Sequence, residues 1–320
     1  MNQQSATTMK AVAIGRFGEL DELQQYDLPK PEPAESEVLI RVHAAGVGIW
    51  DSKQRRGMYL AENAEFPLIL GEECAGDIER VGSSVTTLRE GEAVYTYFVA
   101  KHGSYAQYVA VQAADVARKP ARLSYLEAAA VPVVGITAHE SIVDEIKLEP
   151  NEWLFVAGAA GGVGSFAVQL AIGIGARVIA SALTEDFAYL ESLGVARANL
   201  IDYTRDDVIA AVRSITNGSG VDAALDAAGG ENWKLTIQAV RDGGRLAQLT
   251  GQPVEHDGKV SVLTVRSKPS AARLDILSEM IDAGRLTVRI DASFPLAQAS
   301  EAQHAVERHH HPGAIVLSVS

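Results

Sequence analysis

The sequence predicts an α/β protein in which a small β-rich unit precedes a doubly wound parallel-sheet unit. Three observations carry that expectation. Residues 9–125 consist of short, β-branched runs punctuated by Gly, Pro and Ser. Residues 126–265 alternate apolar strand-like runs with helical ones. Gly161, Gly162 and Gly164 crowd the first strand-to-helix junction of that second region.

In the first region "KAVAIGRFG" opens as a strand. Pro29, Pro31 and Pro33 exclude helix from the connector that follows. "EVLIRVHAAGV" has the alternating, β-branched look of a strand, and "CAGDIERVGSSV" and "GEAVYTYF" follow between Gly and Ser. The second region starts with the strand "WLFVAG" and the helix "SFAVQLAIGIG". It continues with the strands "RVIASA", "ANLIDY", "VDAALDAAG", "RLAQLTG" and "KVSVLTV". Between them lie the helical runs "EDFAYLESLG", "DDVIAAVRSITNG" and "NWKLTIQAVRDGG". Repeated βα units of this length imply a parallel sheet covered by helices on both faces. Beyond residue 265, Leu274, Leu277 and Ile281 share one face of a helix that Gly284 stops, and "AIVLSV" closes as a strand. "HHH" at 309–311 reads as a helix end with cations near its C-terminus rather than a metal tract.

Composition narrows the function. With 320 residues, 47% hydrophobic and 22% charged, the chain has an ordinary globular composition and length for two domains. A net charge of -13 disfavours nucleic-acid binding, which needs a basic face. Cys74 is the one cysteine, so no internal disulfide and no cysteine-rich zinc site can form. The polar start "MNQQSATTMK" is no secretory signal, and no apolar run approaches membrane-spanning length. A cytoplasmic protein with no membrane partner is the expectation.

The glycine cluster carries the chemistry. Ala159-x-Gly161-x-x-Gly164 fits the dinucleotide fingerprint with alanine in the first glycine slot. Gly161 and Gly162 let backbone approach a pyrophosphate, and Gly164 lets the helix pack closely on the strand. The helix N-terminus offers free N–H donors and a positive dipole end to the phosphates. A flexible Gly/Ala turn without a ligand is the alternative; the strand before, the helix after and the βα units beyond weigh against it.

"VAGAAGGVGSFAVQLAIGIGARVIASA" closely resembles the medium-chain dehydrogenase/reductase superfamily, and the chain is most similar to its zinc-independent quinone oxidoreductase, zeta-crystallin-like branch. "AAGVGIWDSKQRRGMY", "LGEECAGDIERVG", "HGSYAQYVAV", "AAAVPVVGITAHES", "KPSAARLDILSEMIDAGRL" and "FPLAQASEAQHAVE" resemble further family segments, so the likeness covers nearly the whole chain. It implies a GroES-like catalytic domain over residues 1–125, completed by 266–320, and a Rossmann domain over 126–265. It implies a small-molecule substrate in the cleft between them and a homodimer formed by pairing the last Rossmann strand edge to edge.

Departures from the zinc-dependent relatives matter. They carry ligands where this chain has Gly48, Glu72 and an apolar residue near Val133, and the four-cysteine structural-zinc lobe is absent. A catalytic zinc site needs three protein ligands, so no metal is expected. Without that Lewis acid the chemistry suits quinones or C=C bonds conjugated to a carbonyl. The resemblance places Thr137, Ala160, Gly161, Gly162, Val163, Ser181, Tyr203, Ala227, Leu249, Thr250 and Gly251 at the cofactor and Tyr59 at the mouth of the acceptor pocket, where a phenol can donate to a substrate oxygen. Asp51 matches the motif aspartate and reads as structural. Residues 53–67 and 95–105 are expected to line the pocket, with His102 either reaching it or solvated. The strand "RVIASA" ends in Ser181 and Ala182 without the acid that binds a ribose 2′-hydroxyl, so NADPH is expected over NADH, with Glu185 reducing the margin. Two other readings stay open: an enoyl-thioester or alkenal reductase on the same scaffold, and a nucleotide-binding protein with little turnover.

Overall fold

Strand β1 (Thr8–Ile14) pairs antiparallel with β2 (Leu23–Pro29) over its whole length, so the chain starts as a hairpin that ends where the proline-rich connector begins. There follow β3 (Glu37–Val47), α1 (Ile49–Arg55), β4 (Leu68–Ile69), β5 (Glu73–Val81), β6 (Ala93–Tyr97), β7 (Tyr108–Gln112), β8 (Val116–Arg118) and α2 (Tyr125–Ala129). Then come α3 (Pro132–His139), β9 (Trp153–Ala157), α4 (Gly162–Ile174), β10 (Arg177–Ala182), α5 (Phe187–Ser192), β11 (Leu200–Asp202) and α6 (Val208–Ile215). The chain continues with β12 (Val221–Asp226), α7 (Trp233–Ala239), β13 (Val240–Gln248), β14 (Ser261–Thr264), α8 (Ala271–Asp282), β15 (Ile290–Pro295), α9 (Ala299–Glu307) and β16 (Ala314–Ser318). The structure is a computed structural model that describes residues 7–58, 64–249, 258–308 and 312–319.

The chain divides into two compact units. The first comprises Met1–Val133, Lys268–Ala283 and Val288–Ser320; the second comprises Val134–Ser267 and Gly284–Thr287. The fold is α/β, and each unit has its own sheet system.

In the first unit β3 is the spine. Its first half pairs with β7, its last residues pair with β16, and β5 runs along its other side. The sheet runs β15-β16-β3-β5-β6-β8, and β2-β1-β4 form a separate three-stranded sheet. Val38, Ile40 and Val42 of β3 pack with Ala302 and Val306 of α9 and Leu317 of β16 in one core. Burying one such aliphatic side chain stabilises by roughly 1.5–3 kcal/mol, so α9 and β16 are integral to this unit and not appendages. Helix α8 is held by Leu274, Leu277 and Ile281, all buried, and by the Tyr95 hydroxyl, which donates to the Leu274 carbonyl at 2.6 Å.

The second unit is a six-stranded parallel sheet in the order β11-β10-β9-β12-β13-β14. From β9 the chain winds outward to β10 and β11, then returns to β12 and winds the other way. Such a reversal opens a crevice at the carboxyl ends of the strands beside it. Phe155, Ile179, Val212, Trp233 and Leu246 form its core.

Two local readings differ from the sequence expectation. Helix α7 stops at Ala239, and β13 already starts at Val240, inside the run read as helical. Gly243 there has φ +76°, which ends any helix, and a side chain on Gly244 would strike Val240. The strand accommodates the pair through a register shift between Val221 and Ala223 of β12. Within the β-rich region the chain also forms α1, whose start is fixed by the Asp51 carboxylate accepting the Gly48 N–H at 2.8 Å.

Candidate active site

Four glycines build the loop from β9 to α4, each in a different setting. Gly158 leaves the strand with φ +73°. A Cβ on Gly164 would strike the Gly158 carbonyl and lie 2.8 Å from Ala159 Cα, so this residue must be glycine for α4 to pack on β9. A Cβ on Gly162 would meet Val134 Cγ1 at 3.0 Å. Gly162 is therefore small to admit a neighbouring side chain of its own unit. Over Gly161 the nearest atom is the Gly158 carbonyl at 3.5 Å, so the open approach to backbone lies there.

Gly161 is the N-cap of α4, and the helix ladder starts with Ser165 N–H on the Gly161 carbonyl at 2.9 Å. The N–H groups of Gly162, Val163 and Gly164 thus have no intrahelical acceptor, which is the donor set an anion needs. Two further bonds tie this turn to its neighbours. Ala159 N–H donates to the Ser181 carbonyl at 3.1 Å, and Ala227 N–H donates to the Ala157 carbonyl at 3.0 Å. Ala160, Gly161, Gly162, Val163, Ser181 and Ala227 therefore share the carboxyl ends of β9, β10 and β12, and Leu249 follows the end of β13. Thr250, Gly251 and Tyr59 lie outside the described residues.

At the end of β10, Ser181 is buried and Ala182 follows it. Asp202, at the end of β11, is a carboxylate that motif reading passes over. It accepts the Thr184 N–H at 3.2 Å, the Thr204 N–H at 2.9 Å and the hydroxyls of both threonines. Hydrogen bonds from Thr184 and then Thr204 hold its carboxyl well below the usual carboxylate range. Its lone pairs are spent on shaping this turn. Tyr203 beside it stays 48% exposed, available to a ligand. Thr137 donates its hydroxyl to Ser267 Oγ at 2.9 Å, and its carbonyl accepts from Ser141 at 2.7 Å where α3 widens into a π turn over Glu140–Glu145.

In the first unit the carboxyls of Asp51, Glu72 and Glu73 lie close enough to influence one another. Asp51 Oδ2 accepts the Gly48 N–H and, at 3.1 Å, the Tyr105 hydroxyl. Burial pushes the Asp51 carboxyl up to about 8, with the nearby Glu72 charge adding to it. Burial pushes Glu72 up to about 7, opposed by the bond it accepts from Gln54. Glu73 is fully enclosed, accepts the Val133 N–H at 2.8 Å, and is raised well above the ordinary range by burial.

These residues do not fit a zinc ion. Gly48 has no donor atom, and the Trp50 indole occupies the volume that a side chain at 48 would need. Glu72 is engaged by Gln54, and Val133 contributes only its backbone. Among the described residues no group of three or more His, Cys, Asp or Glu side chains is arranged to hold a metal. The Trp50 ring folds back over Gly48 two residues earlier, at the start of α1, a local packing that the motif match does not describe.

Comparison with known proteins follows the same lines. Residues 34–121 match the family described as alcohol dehydrogenase GroES-like domain. Residues 196–317 match the family described as zinc-binding dehydrogenase, a span that contains none of positions 48, 72 and 133. An NADPH-dependent alkenal/one oxidoreductase of Arabidopsis thaliana, a chloroplastic protein, is 30% identical over 97% of this chain and 79% of its own length. The chain belongs to the medium-chain dehydrogenase/reductase family, quinone oxidoreductase type. Another member, a quinone oxidoreductase of Pseudomonas aeruginosa, is 27% identical over 96% of this chain and 99% of its own. A solved structure of an NAD-dependent alcohol dehydrogenase superposes with a TM-score of 0.90 at 29% identity, over 98% of this chain and 100% of that one. Within this family the β-rich unit is the GroES-like domain and the parallel sheet is the Rossmann-like one.

Proposed function

We propose that this protein is an NADPH-dependent reductase that transfers hydride to a quinone or an α,β-unsaturated carbonyl without a catalytic zinc. The observation that carries this reading is the filled metal position: Trp50 over Gly48, with Glu72 bonded to Gln54. A carbonyl that is not polarised by a metal is a poor hydride acceptor, whereas a quinone or an enone spreads the developing charge over its own conjugated system. The names of the alkenal/one and quinone oxidoreductases above support the same acceptor class.

Bound dinucleotide supplies the hydride. The chain's own residues bind, orient and donate. The free N–H groups of Gly162, Val163 and Gly164 hold the pyrophosphate at the helix N-terminus. Ser181 and Tyr203 offer hydroxyls to a 2′-phosphate, and no carboxylate ends β10 to repel it. Glu185 limits the gain, so the preference for NADPH is modest. Thr137 faces the nicotinamide portion, and Tyr59 donates to the acceptor oxygen. The pairing edge of β14 leads to a homodimer, and the protein acts in the cytoplasm.

The test is a panel of a benzoquinone, a 2-alkenal, an enoyl-thioester and a primary alcohol, each with NADPH and NADH. The expected result is reduction of the first two with kcat/KM about tenfold higher for NADPH, from two neutral hydrogen bonds of about 1 kcal/mol each less the opposing Glu185. Metal-dependent oxidation of the alcohol, or equal use of NADH, would refute it. Sedimentation as a monomer at micromolar concentration would refute the dimer.

A further inference from the structure

Of the three neighbouring carboxyls in the first unit, Glu72 reaches water. Asp51 and Glu73 are 0% and 3% exposed, whereas Glu72, immediately before β5, is half-buried. Its Oε1 accepts from the buried Gln54 amide of α1, and its backbone carbonyl accepts the Phe98 N–H at 2.8 Å. Gln54 and Phe98 belong to the two stretches, 53–67 and 95–105, that the sequence assigns to the acceptor pocket. Glu72 therefore ties one to the other. Its second oxygen, Oε2, bonds to no described residue and is not closed off from solvent.

The same surroundings keep a proton on this carboxyl. Burial raises Glu72 to about 7, with the Gln54 bond opposing, so the acid form is well populated at neutral pH. Asp51 from α1 and Glu73 from β5 are its titratable neighbours. Burial raises Asp51 to about 8 and Glu73 well above the ordinary range, so both stay protonated as Glu72 titrates. Tyr105, which bonds Asp51, and Cys74 are raised by burial too and stay neutral. Among the described residues no Lys, Arg or His pairs with Glu72. Because Oε1 accepts the Gln54 amide, the acid proton sits on Oε2, the open oxygen. A partly protonated carboxyl with one oxygen fixed and the other open is what general acid catalysis at neutral pH requires.

We propose that Glu72 is the general acid of enone reduction, its Oε2 delivering a proton to the α-carbon of the bound acceptor. This rests on the reading of the protein as an enone reductase. The hydride pair makes a C–H bond at the β-carbon, and the C=C π pair makes a second one at the α-carbon with the proton from Glu72. The Oε2–H bond breaks and its electrons stay on the carboxylate, which takes its next proton from water. The products are the saturated carbonyl compound and the oxidised dinucleotide. Tyr59, at the acceptor oxygen, holds that oxygen by a hydrogen bond and keeps its own proton.

Reduction of 3-penten-2-one with NADPH, followed from pH 5.5 to pH 9, tests the role. In the parent kcat should fall about tenfold per pH unit above about pH 7. Glu72→Gln, a neutral isostere, should lower kcat about a hundredfold below pH 7 and flatten the profile, and Glu72→Asp should restore part of the rate and the falling limb. The cofactor-free protein gives a second readout: the assigned 13C carboxyl resonance of Glu72 should titrate with a midpoint near pH 7. A parent that reduces no enone overturns the acceptor reading and this proposal with it. A parent that does so while Glu72→Gln keeps its rate or its falling limb overturns this proposal alone. A parent profile without the limb, or a Glu72 midpoint below pH 5, overturns it even if neither variant folds.

Discussion

Three glycines of the β9–α4 turn make separable predictions, because their missing side chains would meet different things. At Gly161 a Cβ has only the Gly158 carbonyl within reach, at 3.5 Å, so Gly161→Val fits the free protein. Its structural cost is the weaker N-cap, about 1 kcal/mol or less. Its methyls stand where a phosphate oxygen must come within about 3 Å of the α4 N–H groups. Losing two charge-assisted hydrogen bonds, at about 1.5 kcal/mol each, costs at least roughly a hundredfold in affinity. Gly164→Ala is the reverse case. Its Cβ would strike the Gly158 carbonyl and lie 2.8 Å from Ala159 Cα, both backbone, which cannot swing aside. Overpacking of this kind costs about 1–3 kcal/mol, a melting shift of roughly 3–10 °C for a unit of this size, with cofactor affinity falling only as the turn distorts. Gly162→Ala sits between, since Val134 Cγ1 at 3.0 Å is a side-chain atom that can yield. Fluorescence titration with NADPH and calorimetric melting, run on all three, separate the roles. Nucleotide affinity of Gly161→Val within twofold of the parent, with its fold intact, would refute the assignment of this turn to the phosphates.

Three shorter predictions follow from other sites. Between about pH 4 and pH 8 folded Asp51 keeps a proton that the unfolded chain has released, so this group's contribution to stability falls as pH rises, by up to about 1.4 kcal/mol per pH unit. Urea unfolding at pH 5 and pH 8 should therefore show Asp51→Asn gaining stability relative to the parent at the higher pH; a constant difference would show that the carboxyl ionises freely. Arg55 is fully buried and donates to Glu307 at 2.5 Å, Gln303 at 2.8 Å and the Gly18 carbonyl at 3.2 Å. Arg55→Ala leaves Gln303 and the Gly18 carbonyl without their donor, while Glu307 keeps Arg56 at 3.0 Å, and should cost about 1–3 kcal/mol, seen as a lower urea midpoint; an unchanged midpoint would count against the buried network. Exhaustive dialysis against a chelator should leave reductase activity intact; stoichiometric zinc together with activity lost on its removal would overturn the non-metal reading.

The sequence made the second unit legible because periodicity and glycine position report backbone geometry directly. β9 and α4 lie where the run of apolar residues meets the glycines, and α8 buries Leu274, Leu277 and Ile281 as their spacing requires. Contacts made across the fold were not legible. The motif opens the backbone at both Gly161 and Gly162, but it does not name Val134, 28 positions away, whose Cγ1 lies 3.0 Å from where a Cβ on Gly162 would stand. The bond from Thr184 to Asp202, 18 positions on, depends likewise on a neighbour that no motif names. Strand β13 begins earlier than the sequence suggests for a similar reason: "VRDGG" has helix-like charges, and only the partner strand β12 shows that Val240 is already paired.

The pairing of β16 with β3 bears on how this protein is made. β3 ends at Val47, and the strand that lies against its last four residues is 314–318. At a synthesis rate of about 5–20 residues per second, β3 waits roughly 15–50 s for that partner. The second unit is different: residues 134–267 are contiguous and supply all six strands of its sheet, so it can close while the ribosome is still translating the rest. The usual vectorial order is thereby inverted, with the middle of the chain folding before its beginning. In the interval Ala44, Ala45 and Val47 present a bare apolar strand margin. A nascent chain stalled near residue 300 would therefore carry one finished parallel-sheet unit and one β-rich unit with an open edge, a natural client for a ribosome-associated chaperone.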